Sequence, residues 1–246
     1  MKLINKTILG VASLAATFMF SSCTKSFDEK VEQNRDFSNS SLLQVYMATV
    51  NADRNYVYVD SKPVNGAKLI LGSVFPSTGF AFAVPGGYRA FMIRDTLTAT
   101  TQTPLSFAQN MDVGKNYTIF MYDTINAAKQ KTVETKIVVP GDTTARLRFA
   151  NFIFSKNAVP AVDIFSKRRN VNVFTNVAVT GVTDFIPVPS AFTDTFYVRE
   201  TGTTNQLAVL NGLTPTEKRS YTLVFRGRYE TTSGTIARTL SSFINR

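Results

Sequence analysis

Among its 246 residues the chain has no histidine, no tryptophan and a single cysteine, and each shortage excludes something. Without histidine the commonest general base and the commonest zinc ligand are missing, so Ser-His-Asp and Cys-His chemistry are ruled out. Without tryptophan the strongest aromatic stacking residue is missing. The one cysteine, Cys23, lies close to the N-terminus. The body of the chain therefore has neither a disulfide nor a thiol nucleophile, and its core must hold by burial alone. Long runs of positive charge are scarce too. Lys167-Arg168-Arg169 is the only run of three in a chain of net charge +10. A nucleic-acid binder concentrates its cations on one face with aromatics interleaved, so nucleic acid is not an expected partner. Scattered positive charge suits attraction to an anionic surface better.

What is present begins with a leader. Lys2 and Lys6 form a charged start, and residues 7–20 form an apolar run ending at Phe20-Ser21-Ser22-Cys23, the layout of a secretory signal peptide. The run is too short for a membrane-crossing helix, which needs roughly 20 apolar residues. Small residues before Cys23 resemble a bacterial lipobox. The resemblance implies cleavage after residue 22, a diacylglyceryl group on the Cys23 thiol and an acylated new N-terminus. Removing residues 1–22 takes away two lysines and no acids, leaving 25 basic against 17 acidic residues, or +8. Several acyl chains hold a protein at a membrane far more firmly than one does. Thr24 stands where an Asp would retain a lipoprotein at the inner membrane, so the expected location is the outer membrane of the cell envelope.

Residues 23–41 are polar and charged without an apolar period, and read as a flexible tether. Alternation then sets in, with Leu43, Val45, Met47 and Thr49 on one face of a strand and Tyr56–Val59 forming a second. Asn65-Gly66 predicts a tight hairpin turn with positive φ. Further strands are expected over 80–84, 88–94, 105–108, 117–122 and 133–139, with a boundary at Pro140-Gly141-Asp142. After that boundary the order recurs. Leu147–Asn151 answers Gln44–Ala48, and Val162–Phe165 answers the stretch around Val57–Asp60. Val188-Pro189 answers Val84-Pro85, and Tyr221–Phe225 answers Tyr117–Met121, both at a spacing of 104. About seven short strands per repeat, with frequent turn signals and no capped helical period, predict an all-β chain. The expected architecture is two tandem antiparallel, immunoglobulin-like β-sandwiches over 42–140 and 144–246.

The stretches Arg146–Asn151, Val159–Phe165, Phe185–Pro189 and Ser220–Val224 are similar to the domain-of-unknown-function family numbered 4397. Val57–Val64, Val84–Tyr88 and Val113–Ile119 of the first repeat resemble it as well. The resemblance implies surface-anchored or secreted β-sandwich proteins without an assigned reaction. Where many members carry a histidine after the first strand, Thr49 and Asn151 stand here, so no ligand role carries over to those positions.

Candidate sites are few. Asp163 and Asp184 are the acids that a glycosidase-like pair would use, but two such carboxylates must lie about 5–10 Å apart, and nothing in the sequence brings them together. Asn51-Ala52-Asp53-Arg54-Asn55 has alternating oxygen donors but lacks the glycine and distal glutamate of a calcium loop. Lys167–Asn170 reads as a solvated turn, with an anion patch as the alternative. Most of the 20 Phe and 9 Tyr are expected in sandwich cores, leaving Tyr56, Tyr58 and Tyr229 as ligand-binding candidates. No catalytic residue, metal ligand or cofactor is expected. The chain reads as a non-enzymatic envelope lipoprotein with a binding or adhesion role, its partners the membrane through Cys23 and a surface protein or glycan. The alternatives are a glycan-binding accessory of polysaccharide uptake and a structural spacer.

Overall fold

The computed structural model describes residues 37–97, 99 and 102–246; the leader, Cys23 and most of the tether lie outside them. In chain order the first repeat runs β1 (Ser40–Met47), β2 (Asn55–Val59), β3 (Lys62–Pro63), β4 (Val74–Phe75), β5 (Phe82–Pro85), β6 (Gly87–Asp95), β7 (Leu105–Met111), β8 (Asn116–Tyr122) and β9 (Lys129–Glu134). The second runs β10 (Ala145–Asn151), β11 (Val162–Ser166), β12 (Val171–Val177), β13 (Ile186–Val188), β14 (Asp194–Glu200), β15 (Gln206–Leu213), β16 (Ser220–Arg226) and β17 (Thr239–Ile244). One 3-10 turn, Ile125–Ala127, is the only helical element among the described residues. The chain is all-β.

Each repeat makes two sheets. An inner sheet of order β4-β1-β8-β9, with β5 also on β1, faces an outer sheet of order β3-β2-β6-β7. The second repeat gives β13-β10-β16-β17 and β12-β11-β14-β15. Leu43, Val45 and Met47 of β1 pack against Val57, Phe91 and Ile93 of the outer sheet, as strand alternation requires. Leu147 and Phe149 of β10 do the same with Ile164, Phe196 and Val198. The expectation of purely antiparallel sheets is corrected at one place per sandwich. β1 runs parallel to β8, and β10 parallel to β16. Each unit crosses between its sheets in Greek-key fashion, so its opening strand and the eighth or seventh one enter the inner sheet from the same end. In both units a tyrosine at the start of that later strand ties back to the turn before it. The Asp112 N–H donates to the Tyr117 oxygen (3.2 Å) and the Thr216 N–H to that of Tyr221 (3.0 Å), an immunoglobulin-like corner.

The register refines the repeat. Leu43 pairs with Tyr117 and Leu147 with Tyr221, so the first strands are also related by 104 residues. Matching Leu147 to Gln44, as the sequence pattern suggests, is one residue out, and a one-residue slip exchanges the two faces of a strand. Three other expectations are corrected. The β2–β3 hairpin turns at Asp60-Ser61, whose φ of 48° and 67° supply the positive pair. Asn65 is instead buried, its Oδ1 accepting from Val57 N and its Nδ2 donating to Ala67 O, both 2.7 Å. The strand expected over 133–139 lies at Lys129–Glu134, while Val138 and Val139 are exposed. Edge-strand pairing with β8 outweighed the apolar pattern there. The first strand also starts inside the expected tether: Ser40 pairs with Pro85, and the buried Ser41 donates to Val84 O.

The two sandwiches are not independent beads. The faces of the inner sheets turned away from their own cores meet each other. Tyr46, Ala48 and Phe120 from the first and Ala150, Phe152, Val224 and Phe243 from the second form a third apolar cluster. Phe120 stacks on Phe152 with centroids 4.5 Å apart, and Tyr46 on Phe243 at 5.2 Å. The result is four sheets in series, and the two sandwiches make one compact unit.

Candidate functional site

The free surfaces of this stack are the outer faces of its outer sheets. On the first, β2 turns Val57 and Val59 inward and Tyr56 and Tyr58 outward, and β6 turns Phe91 and Ile93 inward and Tyr88, Ala90, Met92 and Arg94 outward. Tyr58 lies opposite Met92 and Tyr56 opposite Arg94. The Arg94 guanidinium sits 4.9 Å from the Tyr58 ring centroid, a cation–π contact that fixes the ring's tilt. Four residues along β6 from Met92, roughly 13 Å at about 3.3 Å per residue, Tyr88 stands 80 % exposed. Between these aromatics the face is nearly flat, because Ala90 is paired with Ala108 of β7 and both side chains are single methyls. Three tyrosines, an arginine and a shallow floor share one surface.

The second outer sheet shows the same frame used differently. Phe165 lies opposite Tyr197 and Asp163 opposite Arg199, and the Arg199 guanidinium lies 3.6 Å from the Phe165 centroid. Here Asp163 occupies the position of Tyr56, and it is buried. Its oxygens accept from Asn172 Nδ2, Asn176 N, Thr201 Oγ1 and Gly202 N at 2.8–3.2 Å. Thr193 stands where Tyr88 does and is hydrogen-bonded to Thr214 at 2.7 Å. The second outer sheet thus keeps one aromatic pair, Phe165 and Tyr197, under Arg199, while the set of three tyrosines lies on the first.

The structure separates the sequence-predicted residues. Tyr56 and Tyr58 are brought together with Tyr88. Tyr88 was missed because alternation marks it only as outward-facing, like Ala90. Tyr229, like Tyr56 and Tyr58, is half-buried rather than exposed. Its hydroxyl donates to Glu200 Oε1 at 2.6 Å and Arg238 lies 5.6 Å from its ring centroid. Burial first, and then this bond, push its pKa up to about 12, while the same hydroxyl holds Glu200 below the usual carboxylate range. These contacts make Tyr229 a structural brace, with its hydroxyl already spent on Glu200. Asp163, with its oxygens engaged by four donors, organises a loop; Asp184 lies on an inner-sheet rim beside Phe185. The stretch 51–55 spends its side chains locally, with Asp53 near Lys68 (3.5 Å), Arg54 on Asp95 (3.1 Å) and Asn55 buried. Lys167–Asn170 is a turn whose backbone is held by Asp194, which accepts from Arg168 N at 2.9 Å. Arg168 itself folds over Phe192, 4.2 Å from its centroid.

No family model matches the chain, and no curated protein matches it. Among solved structures it is similar to the carbohydrate-binding module CBMbc (family CBM26) of Eubacterium rectale Amy13K in complex with maltoheptaose. That overlap has TM-score 0.27 and 10 % identity, covering 82 % of this chain and 95 % of that one. It is similar too to a family 41 carbohydrate-binding module from streptococcal virulence factors, with TM-score 0.25 and 10 % identity over 82 % and 96 % of the two chains. At TM-scores this low the overlaps establish neither a common topology nor a common ligand.

Proposed function

We propose that this chain is a non-enzymatic glycan-binding protein of the cell envelope, held at the outer membrane by a lipid on Cys23. The observation that carries the binding half is the flat face of Tyr56, Tyr58 and Tyr88 with Arg94. Sugar rings present C–H faces and ring hydroxyls together. Aromatic faces spaced along the sheet meet the former, and an arginine beside Tyr56 and Tyr58 donates to the latter. A shallow floor of alanine methyls admits an extended chain rather than a single enclosed sugar. The anchoring half rests on the lipobox resemblance around Cys23.

Glycan-array binding by the full-length protein in detergent tests the face. Tyr88→Ala and Tyr58→Ala are each expected to weaken the retained glycan roughly 2- to 10-fold, from about 0.5–1.5 kcal/mol per aromatic contact. Tyr229→Phe leaves binding unchanged. Equal binding by all variants overturns the assignment. Cys23→Ala is expected to move the protein from the membrane to the soluble fraction, and unchanged fractionation overturns the anchor.

A further inference from the structure

Where the two inner sheets meet, a cleft of about 560 Å³ opens beside Arg148, within the size range of small-ligand sites. Glu134 and Lys136 of the first repeat line it together with Arg146, Arg148, Asp184 and Phe185 of the second. Arg148 is 2 % exposed. Its Nε donates to Thr222 Oγ1 at 2.8 Å, and its Nη2 to Thr118 Oγ1 at 3.0 Å and Thr135 Oγ1 at 3.2 Å. All three acceptors are neutral hydroxyls. No carboxylate pairs with it, and Nη1 has no acceptor among the described residues. The Phe185 ring lies beneath the guanidinium, 4.8 Å from centroid to Cζ.

A buried cation with no counter-charge is costly, because burial disfavours the charged form and neutral hydroxyls repay only part of that. The tilt is visible in its acidity: desolvation brings Arg148 down to about 9, which still leaves it charged at neutral pH. The neighbouring acids do not offset it. Glu134 is committed to Lys115 at 2.9 Å, while Lys136 and Arg146 make no ion pair among the described residues. Three cations therefore face one uncommitted carboxylate, Asp184.

Cross-sheet pinning does not require this charge. The position equivalent to Arg148 in the first repeat, 104 residues earlier by the strand register, is Gln44. Gln44 performs the pinning as a neutral amide, its Nε2 donating to Ile244 O and its Oε1 accepting from Asn245 Nδ2, both at 3.0 Å. Around it Thr222 donates to Asn245 Oδ1 at 2.5 Å, just as Thr118 and Thr135 share a bond of 2.7 Å around Arg148. The two half-interfaces share one plan, a threonine bonded to a polar neighbour beside the cross-sheet residue, with Asn245 where the other has Thr135 and with a cation facing a cleft in only one.

We propose that this cleft binds an oxyanion, a carboxylate, sulfate or phosphate group, on a ligand whose body lies against Phe185. The free Nη1 of Arg148 donates to the anion from the floor, and Arg146 and Lys136 approach it from the rim. Arginine suits this task because its planar fork presents donors in fixed directions while its face stacks on an aromatic ring. The site is separate from the tyrosine face and stands whether or not that face binds glycan.

Titration calorimetry on the full-length protein in non-ionic detergent, at constant ionic strength, tests it with sodium sulfate, sodium phosphate and sodium glucuronate against sodium chloride. Saturable one-to-one binding of at least one of the three, absent with chloride, is expected, and the arm that titrates identifies the anion. Lys136→Gln combined with Arg146→Gln is expected to weaken it roughly tenfold or more. Asp184→Asn is expected to tighten it several-fold by removing a like charge, a gain that a purely structural cluster would not produce. Arg146 also donates to Thr144 Oγ1 at 2.6 Å, so the unfolding midpoint of each variant is measured beside its binding, and a loss of binding at an unchanged midpoint is the expected result. Absence of saturation with all three salts, or binding that ignores both rim variants, overturns the proposal.

Discussion

Gln44 and Arg148 occupy the same place in the two halves of the molecule, 104 residues apart, on the strands that pair parallel to β8 and β16. Each reaches across to the other inner sheet, one as a neutral amide and the other as a cation. The pair shows which part of the interface is architecture and which part is an addition to it.

Arg148→Gln is therefore expected to keep the fold and to raise stability by about 1–2 kcal/mol, since a buried uncompensated charge is removed. No hydroxyl is orphaned, because Thr118 and Thr135 stay bonded to each other and Thr222 to Asn245. The converse change, Gln44→Arg, places a cation against Asn245 and lowers stability. Urea unfolding of both variants checks the pair, and a destabilised Arg148→Gln would show that the charge itself holds the sheets together.

The third cluster makes the two sandwiches one thermodynamic unit. Phe120 is fully buried between Phe152, Phe243 and Tyr46, so Phe120→Ala is expected to cost about 3–5 kcal/mol. Calorimetric unfolding of the parent should show a single transition, with matching calorimetric and van't Hoff enthalpies. A fragment of residues 144–246 exposes Phe152, Val224 and Phe243 and is expected to aggregate. Two resolved transitions would place the cooperative boundary between the sandwiches instead.

Asp163 is a structural acid. Its substitution by alanine leaves four donors of the β11–β12 and β14–β15 region without their acceptor, at an expected cost of about 3–5 kcal/mol. Asp163→Asn keeps part of the network and costs less. Denaturant midpoints of the two variants, compared with the parent, read the difference.

Alkali should weaken the fold through its tyrosines. Burial raises Tyr46, Tyr117 and Tyr229 above the ordinary value of 10.0, Tyr229 to about 12. Above pH 10 the unfolded chain releases these protons while the folded one keeps them. Stability is thus fully present below that pH and falls as pH rises towards about 12. Arg148 acts in the opposite sense. Its folded value of about 9 lies well below the ordinary arginine value, so the unfolded state holds the extra proton and the burial penalty eases as pH rises. Tyr229→Phe is expected to flatten the alkaline loss and Arg148→Gln to steepen it. Urea midpoints measured from pH 9 upward report both slopes.

The sequence by itself determined the all-β class, the repeat and the inward set of the first strand, because a period of two needs only neighbouring residues to declare itself. Leu43, Val45 and Met47 face their own core as the alternation says. Only the tertiary structure decided the rest. Gln44, Tyr46 and Ala48 on the opposite face are buried as well. The run Leu42–Val50 is nearly unbroken in apolar residues, the mark of a strand covered on both faces. What covers it, however, is chain some 200 residues away, as the Gln44–Asn245 bond shows. Tyr88 joined Tyr56 and Tyr58 through the pairing of β6 with β2, and Asp60-Ser61 took the turn that Asn65-Gly66 advertised because Asn65 was needed inside. Arg148 read as one more scattered cation in a basic chain. Its isolation among hydroxyls beside a cleft follows from the meeting of two sheets, and contacts at that range leave no local pattern to read.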